Sequence, residues 1–159
     1  MSSFPVINFS KENSMEQSMM PLASGEGGPV TATLVPQTQR LDFLPRHFGT
    51  AALAVEGAVF VTMERLCAAY HGGYWDFYDL SNGGALLVPS GAAQYYLECD
   101  GNGHACHLPP LATGVAVCAM AYNHLAFRRD GRVFSEMFYR LRDFLAQQPE
   151  AGELWALID

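Results

Sequence analysis

Between Tyr70 and Pro89 the chain reads YHGGYWDFYDLSNGGALLVP, with five aromatic residues inside the nine from Tyr70 to Tyr78 and a glycine pair on either side. Aromatic side chains favour a pleated, half-buried surface. Alternation over Tyr74 to Leu80 predicts a strand with Trp75 and Phe77 on one face and Tyr74, Asp76 and Tyr78 on the other. Ser81, Asn82, Gly83 and Gly84 tolerate the positive φ angles of a tight turn, so Ala85 to Val88 is expected to return as the partner strand. Such a hairpin first of all nucleates a core. Tyrosines around one carboxylate also suit a protein contact, which makes Tyr74, Asp76, Tyr78 and the turn Ser81 to Gly84 the candidate interaction surface.

With 159 residues, half of them apolar, one domain with an ordinary core is expected. Sixteen acids against nine bases give a net charge of −7. This balance disfavours non-specific DNA binding, which needs cations to displace counterions. The acids are scattered and form no dense row, so DNA mimicry is disfavoured too. The four cysteines, Cys67, Cys99, Cys106 and Cys118, sit in apolar or strand-like settings, and reduced, buried thiols are expected. No stretch reaches the roughly 18 apolar residues of a membrane helix, so a cytoplasmic protein without membrane contact is expected.

Residues 1 to 28 differ in composition from the rest and lack an apolar signal-peptide core. They are expected to form a disordered extension, with Met15, Met19 and Met20 as alternative internal starts, ahead of a domain over 29 to 159. Val30 to Val35 reads as a short strand ended by Pro36. Arg40 to Gly49 reads as a helical turn interrupted by Pro45. A helix is predicted over Ala52 to Tyr70 from the stripe Val55, Val59, Met63, Leu66 and Tyr70, with Gly57 attributed to close helix packing. A second hairpin is expected over Gln94 to Leu108, turning at Asp100 to Gly103, so that four strands from Tyr74 to Leu108 make one antiparallel meander. Pro109-Pro110 opens a helix with Leu111, Val115, Cys118, Tyr122 and Leu125 buried. A last helix runs from about Arg132 to Gln147, with Glu136 and Arg140 as an i, i+4 pair. An apolar tail, Leu154 to Ile158, docks on the core. The fold class is α+β: an antiparallel β-meander packed by about three α-helices in a single compact domain.

Four constellations bear on chemistry. Cys99, His104, Cys106 and His107 offer zinc-type donors but match no standard spacing, and strand alternation sends Cys106 and His107 to opposite faces, so no metal is expected. No nucleophile elbow, phosphate loop or dinucleotide fingerprint is present, and no cofactor or catalytic residue is assigned. Arg128, Arg129, Arg132, Arg140 and Arg142 concentrate five of the nine bases within fifteen residues. They read as a solvated face, with Arg128, Arg129 and Arg132 as the alternative nucleic-acid contact. Arg40, Arg46 and His47 are expected to be solvated or to pair with nearby acids. At the carboxyl end, Asp159 adds a side-chain carboxylate beside the terminal one, a doublet suited to pairing with arginine.

The stretch YHGGYWDFYDLSNGG also resembles the central signature of the ArdB/KlcA antirestriction family. ATLVPQTQRLDFLPRHFG (Ala32 to Gly49), ECDGNGH (Glu98 to His104), FYRLRDFLAQQPEAG (Phe138 to Gly152) and the final LID agree with it in the same order. The resemblance implies a non-enzymatic antirestriction protein of a plasmid or other mobile element. It would inhibit type I restriction of incoming DNA by non-covalent contact with the type I restriction-modification complex or its DNA-bound form, not by DNA mimicry. Two alternatives stand beside this: a DNA-binding accessory protein using the Arg128 to Arg142 cluster, and a hydrolase or metal enzyme built from distant residues. The sequence carries no signal for an oligomeric state.

Overall fold

A computed structural model describes residues 28–128 and 131–159; the expected disordered extension over 1–28 lies, but for Gly28, outside them. Strand β1 (Ala32–Leu34) precedes helix α1 (Arg40–Phe48) and helix α2 (Ala52–Leu66). Strands β2 (Tyr74–Leu80), β3 (Ala85–Ser90), β4 (Tyr95–Glu98) and β5 (Ala105–Leu108) follow. Helices α3 (Pro110–Ala126), α4 (Arg132–Leu145) and α5 (Ala151–Ile158) complete the chain. The α+β class stands, with five α-helices among the described residues where about three were expected. The extra two are α1 and the carboxyl-terminal tail.

The strands divide differently from the expected four-strand meander. β1, β2 and β3 form one antiparallel sheet in that order, and β4 with β5 forms a separate hairpin. The register pairs Phe77 with Leu87, Tyr78 with Leu86 and, across β1, Leu34 with Tyr78. The meander breaks because β3 spends its outer edge on α3 instead of β4. The Leu87 amide donates to Cys118 Sγ at 3.4 Å, the Cys118 thiol reaches the Leu87 carbonyl at 3.5 Å, and the Tyr122 hydroxyl donates to the Ala85 carbonyl at 2.7 Å. An open strand edge invites pairing, and covering it with a helix removes that edge. Burial pushes the Cys118 thiol up to about 12, so it stays protonated and able to donate.

Helix α3 is the centre of the core. Every residue from Ala112 to Asn123 is buried, and the helix packs on β3, α2, α4 and α5. Its approach to β3 requires Gly114: a Cβ there would lie 2.5 Å from the Leu87 carbonyl oxygen and 2.9 Å from Val88 Cα. Helix α2 buries Val55, Val59, Met63 and Leu66 as its spacing predicts, but ends at Leu66 because Cys67 turns extended. Tyr70 therefore joins the core from outside the helix. Gly57 has open space where a Cβ would stand, so close packing is not the reason for it. Helix α1 continues through Pro45, and the turn left without its hydrogen bond is the exposed one at Leu41. Arg140 turns towards the Ser81–Gly84 loop, donating to the Gly83 carbonyl at 3.3 Å, instead of serving a helix pair with Glu136.

Candidate functional site: the aromatic ribbon

Gly72 and Gly73 take φ values of 98° and 145°, conformations that L side chains rarely adopt, and they swing the chain from α2 into β2. Trp75 then enters the core. Its indole N–H donates to the Tyr70 hydroxyl at 2.9 Å, and its ring meets those of Tyr70 and Phe60. Phe77 stacks on Phe43 of α1 at 4.8 Å. The inner face of the ribbon is thus fixed by aromatic packing, as its alternation predicts.

Beyond β1, strand β2 loses its neighbour on one side, and α1 fills the place. The Arg40 guanidinium lies 4.5 Å from the centre of the Tyr74 ring and 4.2 Å from that of Phe77. It bridges a residue expected outside with one expected inside, and the Tyr74 hydroxyl donates to Gln37 at 3.1 Å. Tyr74 remains half exposed. Asp76 and Tyr78, on the face of β2 opposite Trp75, are half-buried, and Tyr78 packs against the core. Burial raises the Tyr78 hydroxyl's pKa, and the neighbouring Asp76 carboxylate raises it further. Leu34 stands directly across from Tyr78 and is 53% exposed. Sequence reasoning missed it, because only the β1–β2 register places it on this surface.

Asp79, next in the strand, faces α1. His47 Nε2 is 2.6 Å from its carboxylate, and both Arg46 Nη atoms donate to it at 3.1 and 3.3 Å. Arg46 and His47 thus pair with a nearby acid, as expected, whereas Arg40 lies over aromatic rings instead. The turn residues are tied in as well. Ser81 Oγ accepts from the Thr31 amide at 2.9 Å. Asn82 donates to the Arg140 carbonyl at 2.9 Å and accepts from the Gly84 amide at 3.1 Å. Gly83 has a φ of 91°, and a Cβ at Gly84 would come within 2.9 Å of Leu80 Cδ1. These contacts hold the ribbon's end rigid against β1 and α4.

The remaining candidates are scattered. Asp159 closes α5, which packs on α3 and β5, whereas β2 packs on β1 and β3. Arg128 and Arg132 are exposed, Arg129 lies outside the described residues, and Arg142 is buried beside Tyr139 and Asp143. The four described arginines thus form no single basic face. Arg128, with Arg65 and His124, borders an open groove of about 910 Å³ whose other walls include Leu53, Val61 and Val133. Burial and the nearby Arg128 and Arg65 charges lower the His124 pKa. Of the metal-type donors, Cys99 is buried and His107 packs outward against Tyr96, while His104 and Cys106 meet Glu153 of α5. Among the described residues no helix is long and apolar enough to cross a membrane.

Comparison with known proteins agrees with this architecture. The family model described as "Antirestriction protein" matches residues 68–159. Antirestriction protein KlcA of Escherichia coli is 39% identical over 138 residues, spanning 82% of this chain and 94% of that protein. YfjX of Escherichia coli K-12 is 38% identical over 141 residues, or 86% and 93% of the two chains. A solved structure, reported for KlcA and ArdB proteins with a novel fold and antirestriction activity against type I DNA restriction systems in vivo but not in vitro, superposes with a TM-score of 0.77. It is 38% identical and covers 82% of this chain and 96% of its own. Sequence, fold and the extent of both matches agree: this chain belongs to the ArdB/KlcA family of antirestriction proteins.

Proposed function

We propose that this antirestriction protein, carried by a mobile element, inhibits type I restriction of incoming DNA by docking non-covalently on the restriction machinery or its DNA-bound form, and that it does so without mimicking DNA. The observation that carries the reading is the ribbon's outer surface. Leu34 of β1 and Tyr74, Asp76 and Tyr78 of β2 leave apolar, phenolic and carboxylate groups partly exposed side by side, while Trp75 and Phe77 lock the opposite face of β2 into the core. Aromatic residues on a rigid support suit a contact surface, since little conformational entropy is lost on binding. Charge supports the second half of the proposal. B-DNA carries a charge about every 1.7 Å of axis, whereas here Asp42, Asp79 and Glu153 are engaged with Arg46, His47 and His104. An arginine-based DNA contact is less well supported, because Arg140 and Arg142 are turned to internal partners.

The experiment is phage plating on a host with a type I system, since the solved relatives are reported to act in vivo and not in vitro. Unmodified phage should plate markedly better when the protein is expressed. The double variant Leu34→Asp/Tyr78→Ala, expressed as a soluble chain with a native-like melting curve, should lose most of that protection. Arg128→Glu should keep it. Full protection by the double variant would remove the ribbon from the mechanism.

A further inference from the structure

The β4–β5 hairpin and the first turn of α5 bring together three donors that no sequence motif joins. His104 and Cys106 are two residues apart on extended chain, the spacing that sends both side chains to one face. Glu153 reaches them from α5, with its Oε1 2.7 Å from His104 Nε2 and 49 residues away in sequence. One nitrogen, one sulfur and one carboxylate oxygen all lie within 4.8 Å of one another. The frame around them is braced separately. Asn102, in the hairpin turn, donates to the Ala156 and Leu157 carbonyls at the far end of α5, at 3.0 and 3.3 Å, and accepts from the His104 amide at 2.9 Å. The hairpin therefore grips both ends of the same helix, and the three donors face one another across a fixed gap.

We propose that His104, Cys106 and Glu153 form a binding site for Zn²⁺, with water as the fourth ligand, which fastens the hairpin to the carboxyl-terminal helix. Zinc takes imidazole, thiolate and carboxylate at about 2.0 to 2.3 Å in a tetrahedron, which places donors roughly 3.3 to 3.6 Å apart. To meet that spacing the His104–Glu153 contact, now 2.7 Å, opens by roughly half an ångström and the widest pair, now up to 4.8 Å, closes by up to roughly one ångström through side-chain rotation. Mixed nitrogen, sulfur and oxygen donors suit zinc and disfavour magnesium and calcium, which take oxygen ligands. On binding, the metal displaces the Cys106 thiol proton, which passes to solvent, and replaces the hydrogen bonds that now hold the three groups together.

The test uses the full-length protein, stripped with a chelator and titrated with ZnCl₂ alone. One equivalent per chain is expected, with a rise in melting temperature, and Co²⁺ in its place should give the near-ultraviolet charge-transfer band of a metal thiolate. Cys106→Ser should remove the band, His104→Ala should weaken binding at least tenfold, and His107→Ala should change nothing. Absence of saturable zinc binding by the wild-type protein overturns the assignment. So does a wild-type cobalt complex without a thiolate band, a result that needs no variant to fold. Undiminished binding by His104→Ala does the same.

Discussion

The Tyr122 hydroxyl donates to the Ala85 carbonyl at 2.7 Å inside a fully buried seat, so a phenol of α3 takes the place of a missing neighbour strand. Tyr122→Phe keeps the ring and leaves the carbonyl without its donor. Stranding a buried polar group costs about 1–3 kcal/mol. Urea denaturation should show a loss of that order with an unchanged slope.

Gly57 gives the opposite sign. It lies in the middle of α2, and a methyl group added there would find nothing within 4 Å. Gly57→Ala should stabilise the protein by about 0.5–1 kcal/mol, the helix-propensity difference between the two residues. A higher urea midpoint checks it. A loss of stability would mean that the groove beside Gly57 closes in solution.

The Asp79 cluster sets an acid limit. Burial alone would raise the Asp79 pKa, but hydrogen bonds from His47 and Arg46, and their charges, hold it below the usual carboxylate value. A carboxylate whose pKa is lowered by folding contributes stability above its unfolded pKa and loses that contribution as pH falls through the lowered folded value. Stability should therefore decline from about pH 4 downward. Asp79→Asn should lower the urea midpoint at pH 7 and flatten the acid limb. The two curves should converge at the lowest pH.

Thiol chemistry should single out one cysteine. Cys67, Cys99 and Cys118 are buried, whereas Cys106 is half-buried at the hairpin surface. A thiol reagent applied to the native, metal-free protein should label Cys106 first, slowly because burial and Glu153 hold that thiol protonated. All four cysteines should react after denaturation. Mass spectrometry of the labelled peptides reads the order.

Local rules made much of this fold legible. The period of Val55, Val59 and Met63, the Asp100–Gly103 turn and the ribbon's alternation all act between neighbours in sequence, and each element forms where those patterns place it. The pairing of β3 with β2 was legible, but the fate of its second edge was not, because its partner there is a helix side chain whose sequence position carries no strand signal. The helix of the last residues was hidden for a similar reason. Ala151 to Ile158 is short, and its helicity depends on Leu154 and Leu157 being buried against α3 and on Asn102 closing its carboxyl end. On the ribbon, alternation placed Asp76 and Tyr78 on the face opposite Trp75, but Leu34 needed the register to join them. Glu153 could be connected to His104 and Cys106 only once the chain had folded back on itself.

Trp75, sealed in the core with its indole bonded to Tyr70, has a consequence for anyone watching this protein unfold. The second tryptophan of the chain, Trp155, rides half-buried on the carboxyl-terminal helix. The molecule thus carries two optical gauges at separate stations. Replacing either by phenylalanine would let fluorescence distinguish a loosened terminus from the melting of the whole, with no label added.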